Sequence, residues 1–269
     1  MRFQARFTRT AAALGVVLLL AACGDDKDDD KIPKNESVDV LYDKATDTYA
    51  SRNYKQAVEQ FEEVERQHPY SEWAPRAEIM AAYSAYKAGQ FDDAIAILDR
   101  FTKLHPTHPS TPYAYYLEAL CYYVQINDVE RDQKMTEQAR TALQEVITRF
   151  PDSDYAKDSK LKLDLTADHL AGKEMEIGRY YERHNDYVSA INRFKFVVNT
   201  YQTTSHTPEA LHRLVECYLR LGVMAEAKKY AAVLGYNYPG SDWYKYSYEM
   251  MEGNLSPEEK KTFLKYLKI

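Results

Sequence analysis

The sequence predicts an all-α chain, an α-solenoid of five helix pairs plus C-terminal helices. Three observations predict it. Apolar residues recur at helical spacing almost throughout, and the 269 residues include only 9 glycines and 10 prolines. A proline follows an aromatic or imidazole at His68-Pro69, His105-Pro106, Phe150-Pro151 and Tyr238-Pro239, and twelve residues before each lies an alanine, Ala57, Ala94, Ala139 or Ala227. A fifth copy pairs Ala190 with Gln202, and both sets of positions step by 37, 45, 51 and 37 residues. Two phases that agree through unequal steps mark a real repeat. A helix pair at a period of roughly 34 to 37 residues reads as a tetratricopeptide-type unit, which buries its apolar face only by stacking on neighbours.

The physics of one unit follows from a third phase. Pro75, Pro112 and Pro208 lie six residues beyond Pro69, Pro106 and Gln202. Each suits the first turn of a helix, where no backbone donor is needed. The first helix of the pair runs to a turn such as Arg52-Asn53 or Ala88-Gly89-Gln90. The second helix carries one apolar stripe: Ala57, Val58, Phe61 and Val64; Ala94, Ile95, Leu98 and Phe101; Ala190, Ile191, Phe194, Val197 and Val198. The closing X-Pro ends it, because the residue before proline disfavours helical angles.

The two long steps place insertions. About eight extra residues near Asn127 to Lys134 predict a loop between the helices of the third pair. About fourteen extra residues between Tyr155 and His184 lengthen the first helix of the fourth pair to roughly 40 Å. Gly172 and Gly178 mark bends or close packing in that helix. Trp243 to Met251 reads as helical, and Ser256-Pro257-Glu258-Glu259 starts a last helix that runs to about Lys268. Cys121 and Cys217 share one phase two repeats apart, at ~20 Å or more for typical helix spacing, so both are expected to be buried free thiols.

The amino terminus carries a different signal. Arg2, Arg6 and Arg9 precede a run of apolar and small residues from Ala11 to Ala22, too short to span a bilayer stably. Leu20-Ala21-Ala22-Cys23 resembles a bacterial lipobox. That resemblance implies a cleaved signal over 1–22 and lipidation of Cys23, with palmitate among the acyl chains; several chains on one residue make a stable anchor. The competing reading is an ordinary signal peptide with an incidental cysteine. An aspartate directly after such a cysteine favours inner-membrane retention in enteric-type sorting. Here the residue is Gly24, which points to the outer membrane. Residues 23–36 form an acidic tether, which reaches at most roughly 45 Å. Beyond it the expected divisions are 37–150 for repeats one to three, 151–242 for repeats four and five, and 243–269 for a C-terminal extension.

Without its three leader arginines the chain has 32 basic against 41 acidic side chains, a net charge of −9, and no basic stripe, so nucleic acid is excluded as a partner. Motifs for phosphate binding, nucleophilic hydrolysis or zinc are missing; neither an enzyme nor a cofactor nor a metal site is expected. His105-Pro106-Thr107-His108 reads as a helix end and turn. The feature that does stand out is Tyr113-Ala114-Tyr115-Tyr116, continued by Tyr122-Tyr123, in a chain with 24 tyrosines. Tyrosine joins large contact area to a polar handle, which suits a peptide groove. Repeat-to-repeat packing is the competing reading.

Longer strings resemble a known family. Asp99-Arg100-Phe101-Thr102-Lys103-Leu104-His105-Pro106-Thr107-His108-Pro109, then Tyr113-Ala114-Tyr115-Tyr116-Leu117, is similar to the BamD or ComL family. Asn53-Tyr54, Arg131-Asp132, Leu170-Ala171, Tyr180-Tyr181 and Ala190-Ile191-Asn192-Arg193 fit it as well. The family comprises tetratricopeptide lipoproteins of the outer-membrane β-barrel assembly complex. The resemblance implies a non-enzymatic periplasmic scaffold, anchored by lipid to the inner leaflet of the outer membrane. It implies unfolded barrel precursors as substrates, met by a groove using Tyr113, Tyr116 and nearby Arg100. It implies docking of the C-terminal half, through Asn192 and Arg193, on POTRA domains of a BamA-like insertase, alongside other lipoproteins of the complex. For Arg193 the competing reading is a solvated surface cation. The alternative function is a scaffold lipoprotein for cell-wall synthesis or envelope integrity. The chain departs from the family at Asn185-Asp186, usually Gly-Ala; at Gln202, usually proline; and over Leu163 to His169, where arginines are usual.

Overall fold

The computed structural model describes residues 36–128 and 131–254. The signal segment, Cys23, nearly all of the tether and the helix expected from Ser256 lie outside them. Among the described residues all regular structure is helical. In chain order the helices are α1 Val38–Ala50, α2 Tyr54–Gln67, α3 Ala74–Lys87, α4 Phe91–Leu104, α5 Thr111–Tyr123, α6 Lys134–Arg149, α7 Asp154–Arg183, α8 Tyr187–Thr200, α9 Thr207–Arg220, α10 Met224–Asn237 and α11 Asp242–Asn254. Consecutive helices pack antiparallel to give five pairs, with α11 against α9 and α10.

The repeat phases become packing. Ala57, Ala94, Ala139, Ala190 and Ala227 are all fully buried where the second helix crosses the first. Four residues on, the same line holds Phe61, Leu98, Leu143, Phe194 and Ala231, each almost or wholly buried. Burying a phenylalanine or leucine here contributes about 1.5–3 kcal/mol. Pro75, Pro112 and Pro208 sit in the first turns of α3, α5 and α9. His68, His105, Phe150 and Tyr238 end their helices with φ between −125° and −134°. Tyr201 does the same at φ −121° although Gln202 follows, so that end does not need its proline. Thr204 and Thr207 hydroxyls donate to the freed Tyr201 carbonyl at 2.8 and 2.9 Å.

The turn inside each pair has one residue with left-handed backbone, five positions before the alanine: Arg52 at φ 63°, Gly89 at 74°, Asn185 at 61° and Gly222 at 72°. Asn185 thus fills a glycine place with the residue type that best tolerates it. The third pair has the expected insertion instead.

The fourth pair is the long one. At 30 residues α7 spans about 45 Å. Gly178 is its point of close packing: a Cβ there would lie 2.8 Å from Phe194 Cδ1. Cys121 and Cys217 are buried free thiols, and burial pushes Cys121 up to about 12. Contacts between non-consecutive helices run α3 to α5, α5 to α7 and α9 to α11. The first helices of the pairs therefore crowd together and form the inner row of the solenoid.

Candidate binding surfaces

The inner row of the first half is aromatic. Tyr49 on α1 meets Tyr83 on α3, ring centroids 5.9 Å apart, and Tyr83 stacks on Tyr86 at 6.2 Å. Tyr113 and Tyr116 on α5 meet Tyr155 of α7 at 5.5 and 5.3 Å. All these rings are half-buried: one edge packs, another faces out. The Tyr116 hydroxyl donates to Asp158 Oδ2 at 2.5 Å. Burial pushes the phenols of Tyr113 and Tyr116 well above the usual range, so both stay neutral donors. The rings join repeats, as the packing reading expects, and still present their rims.

Arg100 stands elsewhere. It lies on α4, a second helix, and its Nη2 is 2.7 Å from Glu65 Oε2 of α2. No ring contact or hydrogen bond joins it to Tyr113 or Tyr116. Nearness in sequence placed it beside the tyrosines; the helix reversal at His105 to Ser110 puts it on the other row. Tyr49, Tyr83, Tyr86 and Tyr155 complete the aromatic row instead. A signal for two of them exists, since Tyr49 and Tyr86 both lie eight residues before a repeat alanine.

In the second half the outward stripe of α8 is Val188, Asn192 and Phe196, with Val188 61 % and Phe196 46 % exposed. Tyr181, Ser189, Asn192, Arg193 and Phe196 line a shallow cavity of about 270 Å³. Arg193 flanks the buried face, as its register predicts, and remains 43 % exposed. It is not simply solvated: its Nη1 is 3.0 Å from Glu174 Oε2 of α7. A guanidinium carries five donors, so this pair leaves most of the fork free.

The inner row of this half is ionic. Arg179 bonds Glu176 at 2.5 Å and Glu209 at 2.9 Å. Arg213 bonds Glu216 at 2.9 Å, lies 3.6 Å from Glu182, and sits over the Trp243 ring. His212 Nδ1 is 2.8 Å from Ser247 Oγ, which ties α11 to α9. The described residues contain no cluster of three metal-ligating side chains and no helix long and apolar enough to cross a membrane.

A family of outer membrane lipoproteins designated YfiO matches residues 34–234. The chain belongs to this family. A Caulobacter vibrioides protein described as outer membrane protein assembly factor BamD is 48 % identical over 94 % of this chain and 83 % of its own length. A Rickettsia prowazekii protein of the same description is 46 % identical, over 92 % of this chain and 98 % of its own length. One from Neisseria meningitidis serogroup A is 34 % identical, over 86 % and 92 %. Family membership associates the chain with the outer membrane. The departures at Asn185 and Gln202 fall within these matches and keep the helix geometry described above.

Proposed function

We propose that this lipoprotein is a non-enzymatic scaffold of the outer-membrane β-barrel assembly machine. It is held by lipid on Cys23 and faces the periplasm. Its first three repeats receive extended, aromatic-ended segments of unfolded barrel precursors along Tyr49, Tyr83, Tyr113 and Tyr116. Its α8 face, with Asn192 and Arg193, docks on the POTRA domains of a BamA-like insertase. The observation that carries this reading is one solenoid with two unlike surfaces. An aromatic inner row offers ring edges to a peptide, while an exposed apolar stripe with a half-free guanidinium offers a seat for a folded domain.

Affinity purification of the full chain from membranes tests it. The expected companion is a POTRA-barrel protein; cell-wall synthesis enzymes in its place would favour the other scaffold role. Photocrosslinkers at Tyr113 and Tyr116 should capture barrel precursors during their synthesis. Capture at surface controls but not at these two positions would remove the groove. A Cys23→Ala chain should lose its lipid and fractionate away from the outer membrane in cells that lack the partner complex.

A further inference from the structure

One inter-repeat joint occurs twice in this molecule, in two chemistries. Ala57 and Ala190, Pro69 and Gln202, and Ala94 and Ala227 stand at one offset of 133 residues. On that offset Glu65, Glu78, Arg100 and His105 correspond to Val198, Leu211, Val233 and Tyr238. In the later joint α9 packs against α8 and α10, and the buried Leu211 sits in a cluster with Val198 and Tyr238. In the earlier joint α3 packs against α2 and α4, and Glu78, only 3 % exposed, takes the place of the leucine.

The groups that face Glu78 are few. Glu65 of α2 stands beside it, carboxyl facing carboxyl. Arg100 of α4 holds Glu65 at 2.7 Å. At the end of α4, His105 Nε2 approaches Glu78 Oε2 to 3.6 Å, and that oxygen has no hydrogen-bond partner in the described structure. Behind His105 stands His108, ring-paired with it at 6.2 Å and close enough to Arg76 to feel its charge. Helix α5 meets α3 on the inner row, where Tyr113 faces Tyr83 and Tyr86. One guanidinium thus serves two carboxyls. Like charges in contact within a buried site do not both ionise, so the pair keeps a proton.

We propose that the Glu65–Glu78 pair is a proton-held joint between the first and second repeats, closed while the pair keeps its proton and loosened when the proton leaves. Because α3 also carries Tyr83 and Tyr86, the joint makes the aromatic row of the first half responsive to pH. The inference stands on the joint alone and does not depend on the assembly role.

The sign follows from the proton. Burial first, then Glu65, pushes the Glu78 carboxyl up to about 8, and Arg100 opposes the shift. A group raised on folding contributes stability that is complete below its ordinary value and is lost as pH rises through the raised one. Loosening therefore comes on the alkaline side.

Hydrogen exchange by mass spectrometry on the full chain, corrected for intrinsic rates, tests this. Opening of α2 to α4 should rise about threefold or more per pH unit between about pH 6 and 8, the limit for one proton being about tenfold. Glu78→Gln supplies a permanent donor and should flatten the rise. The double change Glu65→Val with Glu78→Leu installs the chemistry of the later joint and should fold with an equally flat profile. A flat wild-type profile, or an undiminished rise in either folded variant, overturns the proposal. If neither variant folds, the carboxyl carbon-13 shift of wild-type Glu78 decides: titration in the ordinary carboxylate range overturns it, and titration near neutrality or above supports it.

Discussion

From α1 to the start of α7 the inner helices meet through rings, Tyr49 on Tyr83 and Tyr113 on Tyr155; from there α7 and α9 meet through charge, Arg179 on Glu209 and Arg213 on Glu182. Four of the five pairs share one backbone turn, down to the left-handed residue. The difference lies in what each row has left to offer. A half-buried ring keeps an edge for another chain and loses few rotamers on binding it. Arg213, shared among Glu182, Glu209 and Glu216, has its donors engaged within the row. One half therefore presents ring edges, and the other pairs its charges within its own row. The joints repeat the contrast in reverse, with an ionisable pair in the aromatic half and a leucine in the ionic half.

Four measurements would break or sharpen this comparison. The largest effect is expected from Phe194→Ala. Its ring is fully buried and fills the space that Gly178 leaves on α7, so truncation should cost about 3–5 kcal/mol in denaturant unfolding. Phe61→Ala stands in the same phase and is equally buried. A cost similar to that of Phe194→Ala is expected there, and a cost below ~1 kcal/mol would show that the halves do not share one packing rule.

Removing Arg213 should break the ionic row. Arg213→Met leaves Glu182 and Glu216 facing each other without their cation, at a cost of about 2–4 kcal/mol near pH 8. Burial pushes Glu182 up to about 7 even against Arg213. Its contribution is complete in acid and lost as pH rises through that value. The cost of the substitution should therefore shrink toward pH 5, where Glu182 is neutral; unfolding curves at both pH values that give equal costs would refute the coupling.

Arg193→Glu should weaken the proposed docking on a POTRA-barrel protein by roughly 2–4 kcal/mol for a desolvated contact. It also sets a second carboxylate beside Glu174, so a stability loss of about 1 kcal/mol is expected in parallel. Glu174→Gln removes that repulsion and separates the two effects. Calorimetric binding that is unchanged in a folded Arg193→Glu chain would take Arg193 out of the interface. The smallest effect is a gain: Arg52 holds φ 63° where two other repeats have glycine. Arg52→Gly should raise stability by about 0.5–1 kcal/mol, read as a shifted midpoint.

Much of this protein was legible in the chain itself. Unequal steps shared by two phases located the five pairs, prolines located three helix starts, and the insertion between Tyr155 and His184 foretold the length of α7. These are local matters, settled by backbone sterics and by the need of each helix to bury one face. The buried thiols were legible too, because repeat phase converts position into distance. What only the tertiary structure decided is which side chains meet across repeats. Arg100 reads as a neighbour of Tyr113 along the chain, yet it folds onto Glu65. Arg193 reads as an unpaired cation, yet Glu174, nineteen residues earlier, reaches it from α7. Glu78 occupies the site of a buried leucine, and no motif in its own helix marks it. A helical register fixes the face on which a residue sits; the identity of the group across the joint depends on how the next pair stacks, and the side-chain pattern of one pair does not encode that.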